Sequence, residues 1–347
     1  RRSSYLFKFQ EWKKGDHLTV VKNEDYWLKE PNLDKVIFRP IPKLATMMLE
    51  LQQGGVDITD TISPTQVPKF QKMDSVEVQQ TSWLTYFYVG FNMSRLPYSN
   101  YTFRKAVYMS FSMDNAVQAI FNSTAQTAVR AYGLLPPSLW ANDREWLKNN
   151  VALEENDERA AELFENLREE GILDKDKTIT IYCPPDDRRI RLATIIATNL
   201  KEHGLNAETQ PLEWGAYTEL NTRSKNNPLG VTDIFILGFG MDPDPDEIMY
   251  PKFHSDNTDL GGANNHTFFF DPKVDLLIDQ ARTTMDQEKR EELYVQAQRR
   301  AMSSYVHLPG YHYIETRGVN KRVQDFQADP KTRMNLVSPW NNVWLEE

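Results

Sequence analysis

Short apolar runs, some alternating with polar residues and some continuous, predict strands at Tyr5 to Trp12, Leu18 to Lys22 and Lys35 to Pro40. A helix over Lys43 to Gln53 follows, closed by Gly54 and Gly55. Val56-Asp57-Ile58 alternates as a strand, a short helix follows Pro64, and Val76 to Gln80 and Tyr86 to Phe91 read as further strands. After Asn92 the texture changes to one long helix, Phe103 to Phe121, with Val107, Phe111 and Met113 through Ile120 on its apolar positions. A proline-rich loop, Leu134 to Trp140, leads to a helix over 156–170 with Ala160, Leu163, Phe164 and Leu167 at helical spacing and Gly171 as its stop. The next elements are a strand (Thr178 to Cys183), a helix (Arg189 to His203), a strand (Asn206 to Leu212), a helix (Trp214 to Thr222) and a strand over 232–237. That βαβαβ series predicts an α/β domain with right-handed crossovers. Helices Pro272 to Thr284 and Asp286 to Ser304 close it. The tail from Val306 to Trp344 returns to short strands that carry Tyr311, Tyr313, Trp340 and Trp344.

The last strand of the series ends in the richest chemistry of the chain: Leu237-Gly238-Phe239-Gly240-Met241-Asp242-Pro243-Asp244-Pro245-Asp246. Glycines are expected to stop the strand there and to let backbone approach a ligand without an intervening Cβ, and in open α/β sheets ligands bind beyond the carboxyl ends of strands. Three clustered carboxylates suit a cation. An acidic surface turn is the competing reading, since Asp-Pro repeats often form one. A dinucleotide loop is not supported, because the third glycine is missing and Pro243 and Pro245 are expected to forbid the helix start that would hold a pyrophosphate.

With 347 residues, the chain is long enough for two or three domains. Its net charge of −9 gives no electrostatic support for nucleic acid or an anionic membrane as partner. The single cysteine, Cys183, excludes an intramolecular disulfide and a cysteine-rich metal cage, and reads as a core residue. No run reaches the ~18 to 20 apolar residues of a membrane span, and no signal peptide is visible. The opening, Arg1-Arg2-Ser3-Ser4 passing straight into Tyr5, Leu6, Phe7 and Phe9, reads as a fragment starting inside a domain.

Taken in order, the motifs resemble the solute-binding proteins of peptide and nickel ABC importers, the bacterial extracellular family 5 type. Tyr5 to Trp12 is similar to that family's "GPYKFxEW", Asn23 to Trp27 to "NPDYW", Leu33 to Arg39 to "LDKVxFR", and Leu51 to Ile58 to "LQSGEVDI". Val89 to Asn92 is similar to "LGFN", Leu134 to Trp140 to "PLPPGLW", Leu212 to Tyr217 to "LEWGAY", and Tyr250 to Ser255 to "YPLFHS". The resemblance runs from end to end of the chain. It implies a class II (cluster C) periplasmic-binding-protein-like fold, in which two α/β lobes with mixed sheets close about a hinge on a ligand. Residues 1–93 and 315–347 would be the later pieces of a discontinuous first lobe and 94–314 the second lobe. The first lobe's opening part and an extra inserted domain would lie upstream, together with a signal or lipid-modified segment anchoring the protein at a periplasmic or cell-surface location.

By that resemblance the function would be capture of an oligopeptide or similar cationic solute and delivery to an ABC permease, by a monomer that is not an enzyme and needs no cofactor or metal. Cello-oligosaccharides or metal chelates as ligands, or a sensor or adaptor role on the same fold, are the alternatives. Gly238-Phe239-Gly240-Met241-Asp242 aligns with "GWGxD", whose aspartate takes a peptide's ammonium, so Asp242 is the expected ammonium contact, beside Phe239 and Gly240. The aromatic residue that often follows this aspartate is missing. In dipeptide binders an arginine before the following helix holds the ligand carboxylate; here Cys183 or Pro184 falls there, with Arg188 and Arg189 only distant substitutes. Tyr86 and Tyr88 share one face of a strand and are candidates to line the cleft, with core packing as the other reading; Trp83, Asn92, Asn264 and Tyr311 are further cleft candidates. Trp214 is expected to staple its helix to the core.

Chemistry of other classes finds little purchase. The six histidines are scattered, none in an HExxH or zinc spacing, and His307 and His312 flank a Pro-Gly step read as a turn. There is no Gly-x-Ser-x-Gly elbow or Walker loop. A glycosidase-like pair of Asp244 and Asp246 is the remaining enzymatic reading, against a stiff proline-bounded turn.

Overall fold

The alternation of Phe7 to Lys13 and His17 to Lys22 makes a hairpin, strands β1 (Phe7–Lys13) and β2 (His17–Lys22), paired antiparallel in a computed structural model that describes residues 5–27, 29–121, 127–174, 176–221, 232–258, 264–330, 336 and 342–346. β3 (Lys35–Phe38) adds to β2, giving a three-stranded sheet. Helix α1 (Leu44–Gln53) ends where Gly54 takes a left-handed φ of 73°, the conformation that favours glycine at a helix C-terminus. α2 (Val67–Phe70) and β4 (Val76–Ser82) follow, and Met48, Leu51, Ile62, Val67, Phe70 and Val76 bury together as the core here. The expected strand at Val56 to Ile58 contributes one bridge, Ile58 to Val319.

The chain divides into two units, Arg1–Thr81 with Ile314–Glu347, and Ser82–Tyr313. The first crossing thus falls at 81/82, where the sequence reading had set 93, because β5 (Thr85–Phe91) is built into the second unit's sheet. All seven of its residues are buried, and it lies in the sheet between the strands Ile234–Gly240 and His307–Asn320. A central strand covered on both faces reads as a continuous apolar run rather than an alternation.

The single helix expected over Phe103 to Phe121 is two, α3 (Tyr101–Met109) and α4 (Met113–Phe121). Serines make the break: Ser110 Oγ donates back to the Val107 carbonyl, and Ser112 Oγ accepts from the Asn115 N–H, capping a new helix. β6 (Ala128–Arg130) and α5 (Arg144–Asn150), neither anticipated, precede α6 (Asp157–Glu169), whose buried Ala160, Leu163, Phe164 and Leu167 are the residues marked by periodicity. β7 (Ile179–Cys183), α7 (Asp187–Glu202), β8 (Ala207–Pro211), α8 (Trp214–Asn221) and β9 (Ile234–Gly240) form the foreseen series. β7 is parallel to both β8 and β9. Contrary to expectation, β9 runs through both glycines, and α9 (Asp246–Phe253) starts directly after Pro245, since proline's missing N–H costs nothing at a helix start.

α10 (Pro272–Thr283) and α11 (Gln287–Met302) pack as an antiparallel pair against α9. The chain then leaves the unit along β10 (His307–Asn320), one strand of 14 residues instead of several short ones. The Pro309-Gly310 step is a bulge inside it, not a turn, and both flanking histidines are buried. β11 (Val323–Gln324) and β12 (Trp344–Leu345) pair in the first unit. Trp340 lies outside the described residues.

Candidate functional site

Because β7, β8 and β9 run parallel, their carboxyl ends share one edge of the second unit's sheet. The start of β5 joins them there, since antiparallel pairing sets Thr85 opposite Gly240 and Tyr86 opposite Phe239. Met241 N–H donates to the Leu84 carbonyl at 2.9 Å, fixing the chain where it leaves the strand. Asp242 is the next residue and is exposed; its backbone carbonyl accepts from Asp244 N–H at 2.7 Å. The structure thus brings Asp242, Gly240, Phe239 and Trp83 to one edge. Trp83 N–H donates to the Tyr313 carbonyl at 2.8 Å, and the two rings lie 6.5 Å apart.

The two glycines do different things. A Cβ on Gly240 would meet nothing within 4 Å, so this backbone is open to approach, as expected of a ligand-facing glycine. On Gly238 it would lie 2.3 Å from the Phe87 ring, so this glycine exists to let Phe87 lie flat on β9. Phe87 in turn stacks on Tyr311 at 4.7 Å.

Five other candidates fall elsewhere. Tyr86 and Tyr88 stack on each other at 5.1 Å inside the core, and Tyr88 stacks on His307 at 3.8 Å. Tyr311 is buried as well. For all three the core reading describes their position, because β5 and β10 are interior strands with both faces covered. Asn92 lies just past the far end of β5, about 23 Å along the strand direction from Thr85 at ~3.3 Å per residue. Its side chain accepts from Ser94 N–H and Oγ, and its own N–H donates to the Asp233 carbonyl, a buried turn-forming role that takes it away from Asp242. Asn264 is exposed, and its carbonyl accepts from Lys252 Nζ at 3.3 Å.

Three residues that the sequence reading kept outside the site, Arg188, Arg189 and Trp214, stand at the same edge. Arg188 opens α7 just past the carboxyl end of β7; it donates to Tyr313 Oη at 3.0 Å and lies over the Phe121 and Tyr313 rings. Arg189 lies over Phe87 at 5.2 Å. Their signal was the helix start itself, Asp186 capping the N–H of Arg189. Cys183, at the position where a dipeptide binder would hold a carboxylate, is fully buried, and burial raises its thiol to about 11. Trp214, at the start of α8, is 54% exposed and, among the described residues, stacks on Tyr217 of its own helix at 5.9 Å, so it does not staple the helix to the core. An exposed indole just past the carboxyl end of β8 is a contact surface in waiting.

Asp244 and Asp246 are committed to structure. Arg290 grips Asp244 with two bonds of 2.9 Å, while Asp246 accepts from Tyr294 Oη at 3.1 Å and pairs with Arg282 at 3.2 Å. These contacts tie α9 to α10 and α11 and take up the carboxylates an acid–base pair would need. Among the described residues no group of three or more His, Cys, Asp or Glu is arranged to hold a metal ion, and no helix is long and apolar enough to cross a membrane.

A two-unit α/β chain with an acidic, glycine-opened strand end is the architecture of a solute-binding protein. Residues 6–259 match the family described as bacterial extracellular solute-binding proteins, family 5 middle, and the chain belongs to that family. It is 26% identical over 333 residues to a probable di/tripeptide-binding protein 5 of Pseudomonas aeruginosa, covering 95% of this chain and 60% of that protein. It is 22% identical to the oligopeptide-binding protein AppA of Bacillus subtilis, covering 98% and 61%. The structure of HbpA2 from Haemophilus parasuis superposes with a TM-score of 0.81 at 22% identity, over 99% of this chain and 64% of that one. The AppA structure from Bacillus subtilis, described in complex with a nonapeptide, superposes at 0.70. The class II binding-protein fold implied by the motifs is the one these structures share. The chain spans about three-fifths of the length of the curated relatives it matches.

Proposed function

We propose that the protein carrying this chain is an extracytoplasmic receptor that captures a peptide and presents it to an ABC permease, with Asp242 taking the peptide's ammonium. One observation carries the reading: an exposed carboxylate stands directly beyond a glycine whose Cα faces open space, at the carboxyl edge of a parallel sheet. A carboxylate there gains a strong charge-assisted bond from an ammonium once closure removes water. Phe239, Trp83 and Trp214 supply apolar surface for side chains, and Arg188 supplies a cation at the same edge for the ligand's opposite charge. The di/tripeptide and oligopeptide binders among the relatives support this choice of solute.

Thermal shifts of the full-length protein against di- to hexapeptides, cello-oligosaccharides and metal chelates test it. A ligand at a hundred times its dissociation constant stabilises by about 2.7 kcal/mol. Shifts confined to peptides are expected. Shifts with sugars or chelates alone would overturn the choice of solute while leaving the receptor role standing.

A further inference from the structure

Directly behind the candidate site lies a cation that the binding reading does not use. Lys252, on α9, is 2% exposed, and its Nζ sits 4.5 Å from the centre of the Phe239 ring. Its one hydrogen bond among the described residues is to the Asn264 carbonyl, at 3.3 Å, and no described carboxylate forms an ion pair with it. Burying an ammonium is costly. Here it bridges the Phe239 ring of β9 and the Asn264 carbonyl of the loop beyond α9.

We propose that Lys252 is a specificity-determining residue, which polarises Phe239 from behind so that the site disfavours cationic ligand side chains and favours apolar or acidic ones. The proposal rests on the peptide-receptor reading. The physics is that of a ring quadrupole: a cation on one face drains negative potential from the other, so a second cation placed there gains less. The ammonium also adds a direct repulsion through a poorly screened interior. The groups facing Lys252 leave its charge as the variable one. His307 on β10 is buried and held neutral, its basicity lowered first by burial and then by Lys252 and His266. Tyr88 on β5, stacked on His307 rather than on the lysine, is kept un-ionised by burial. Burial brings the lysine itself down to about 7, so its charge grows as pH falls through neutrality. Discrimination against cations is therefore strongest on the acid side.

The test is calorimetric titration of the full-length protein and its Lys252→Leu and Lys252→Met variants with alanine tripeptides carrying lysine or glutamate at the second or third position, at pH 6 and pH 8. The peptide's own ammonium is common to all and cancels in each affinity ratio. For at least one position the wild type should favour glutamate over lysine about tenfold more than either variant at pH 6, with the excess shrinking at pH 8. Equal ratios in the three proteins would overturn the role of Lys252 and leave the peptide receptor intact. If the folded wild type binds no peptide, both readings fall together.

Discussion

Replacing Lys252 should change the stability of the protein in a way only a buried amine can. The side chain is almost wholly buried, and burial lowers it from 10.5 to about 7. At 1.36 kcal/mol per pH unit that drop makes the charged form roughly 5 kcal/mol less favourable in the folded chain than in the unfolded one. The sign follows from proton binding. Between pH 7 and 10.5 the unfolded chain carries a proton that the folded chain lacks, so stability rises with pH across that window. Below pH 7 both states are protonated and this contribution is flat at its worst. Lys252→Met removes the charge and keeps most of the volume. In urea unfolding followed by tryptophan fluorescence, the variant should exceed the wild type by several kcal/mol at pH 6 to 7, and the gap should close by roughly 3 kcal/mol on going to pH 9.5. A gap that does not change with pH, or a variant less stable at pH 7, would refute the reasoning.

Two further substitutions probe the scaffold under the site. Gly238→Ala sets a methyl group 2.3 Å from the Phe87 ring and should cost about 1 to 3 kcal/mol by thermal unfolding, with partial recovery in Gly238→Ala/Phe87→Leu; no loss in the single variant would show that the ring is not held on β9. Asp244→Ala and Arg290→Ala should each destabilise by about 1 to 3 kcal/mol, and a double-mutant cycle should return a favourable coupling. Additive losses would mean that the two-pronged contact contributes nothing of its own.

Much of the second unit was legible because helical spacing and β-branched runs there coincide with burial, as in α6 and the β7 to β9 series. The strand end with Asp242 was legible for the same reason: a buried run, two glycines and a carboxylate can be read in one dimension. What was not legible depends on neighbours distant in sequence. Nothing in β5 says that both its faces are covered, so Tyr86 and Tyr88 offered themselves as cleft residues while β9 and β10 enclose them. Gly238 and Gly240 look alike in the sequence, yet only one faces a ring. Lys252 was invisible because a lysine is ordinarily assigned to the surface, and because it stands in the Tyr250 to Ser255 motif where the resembled pattern has leucine. Asp244 and Asp246 needed α10 and α11 in place before their arginine partners could be seen.

The most direct test of the central claim pairs a change in the ligand with a change in the protein. The full-length receptor and its Asp242→Ala variant are titrated by calorimetry with one tripeptide in free and N-acetylated form. If Asp242 holds the ammonium in a desolvated site, acetylation and the substitution should each cost on the order of 2 to 5 kcal/mol, and the two together little more than either alone. Tight binding of the acetylated peptide by the wild type, or an Asp242→Ala variant with undiminished affinity for the free peptide, would contradict it.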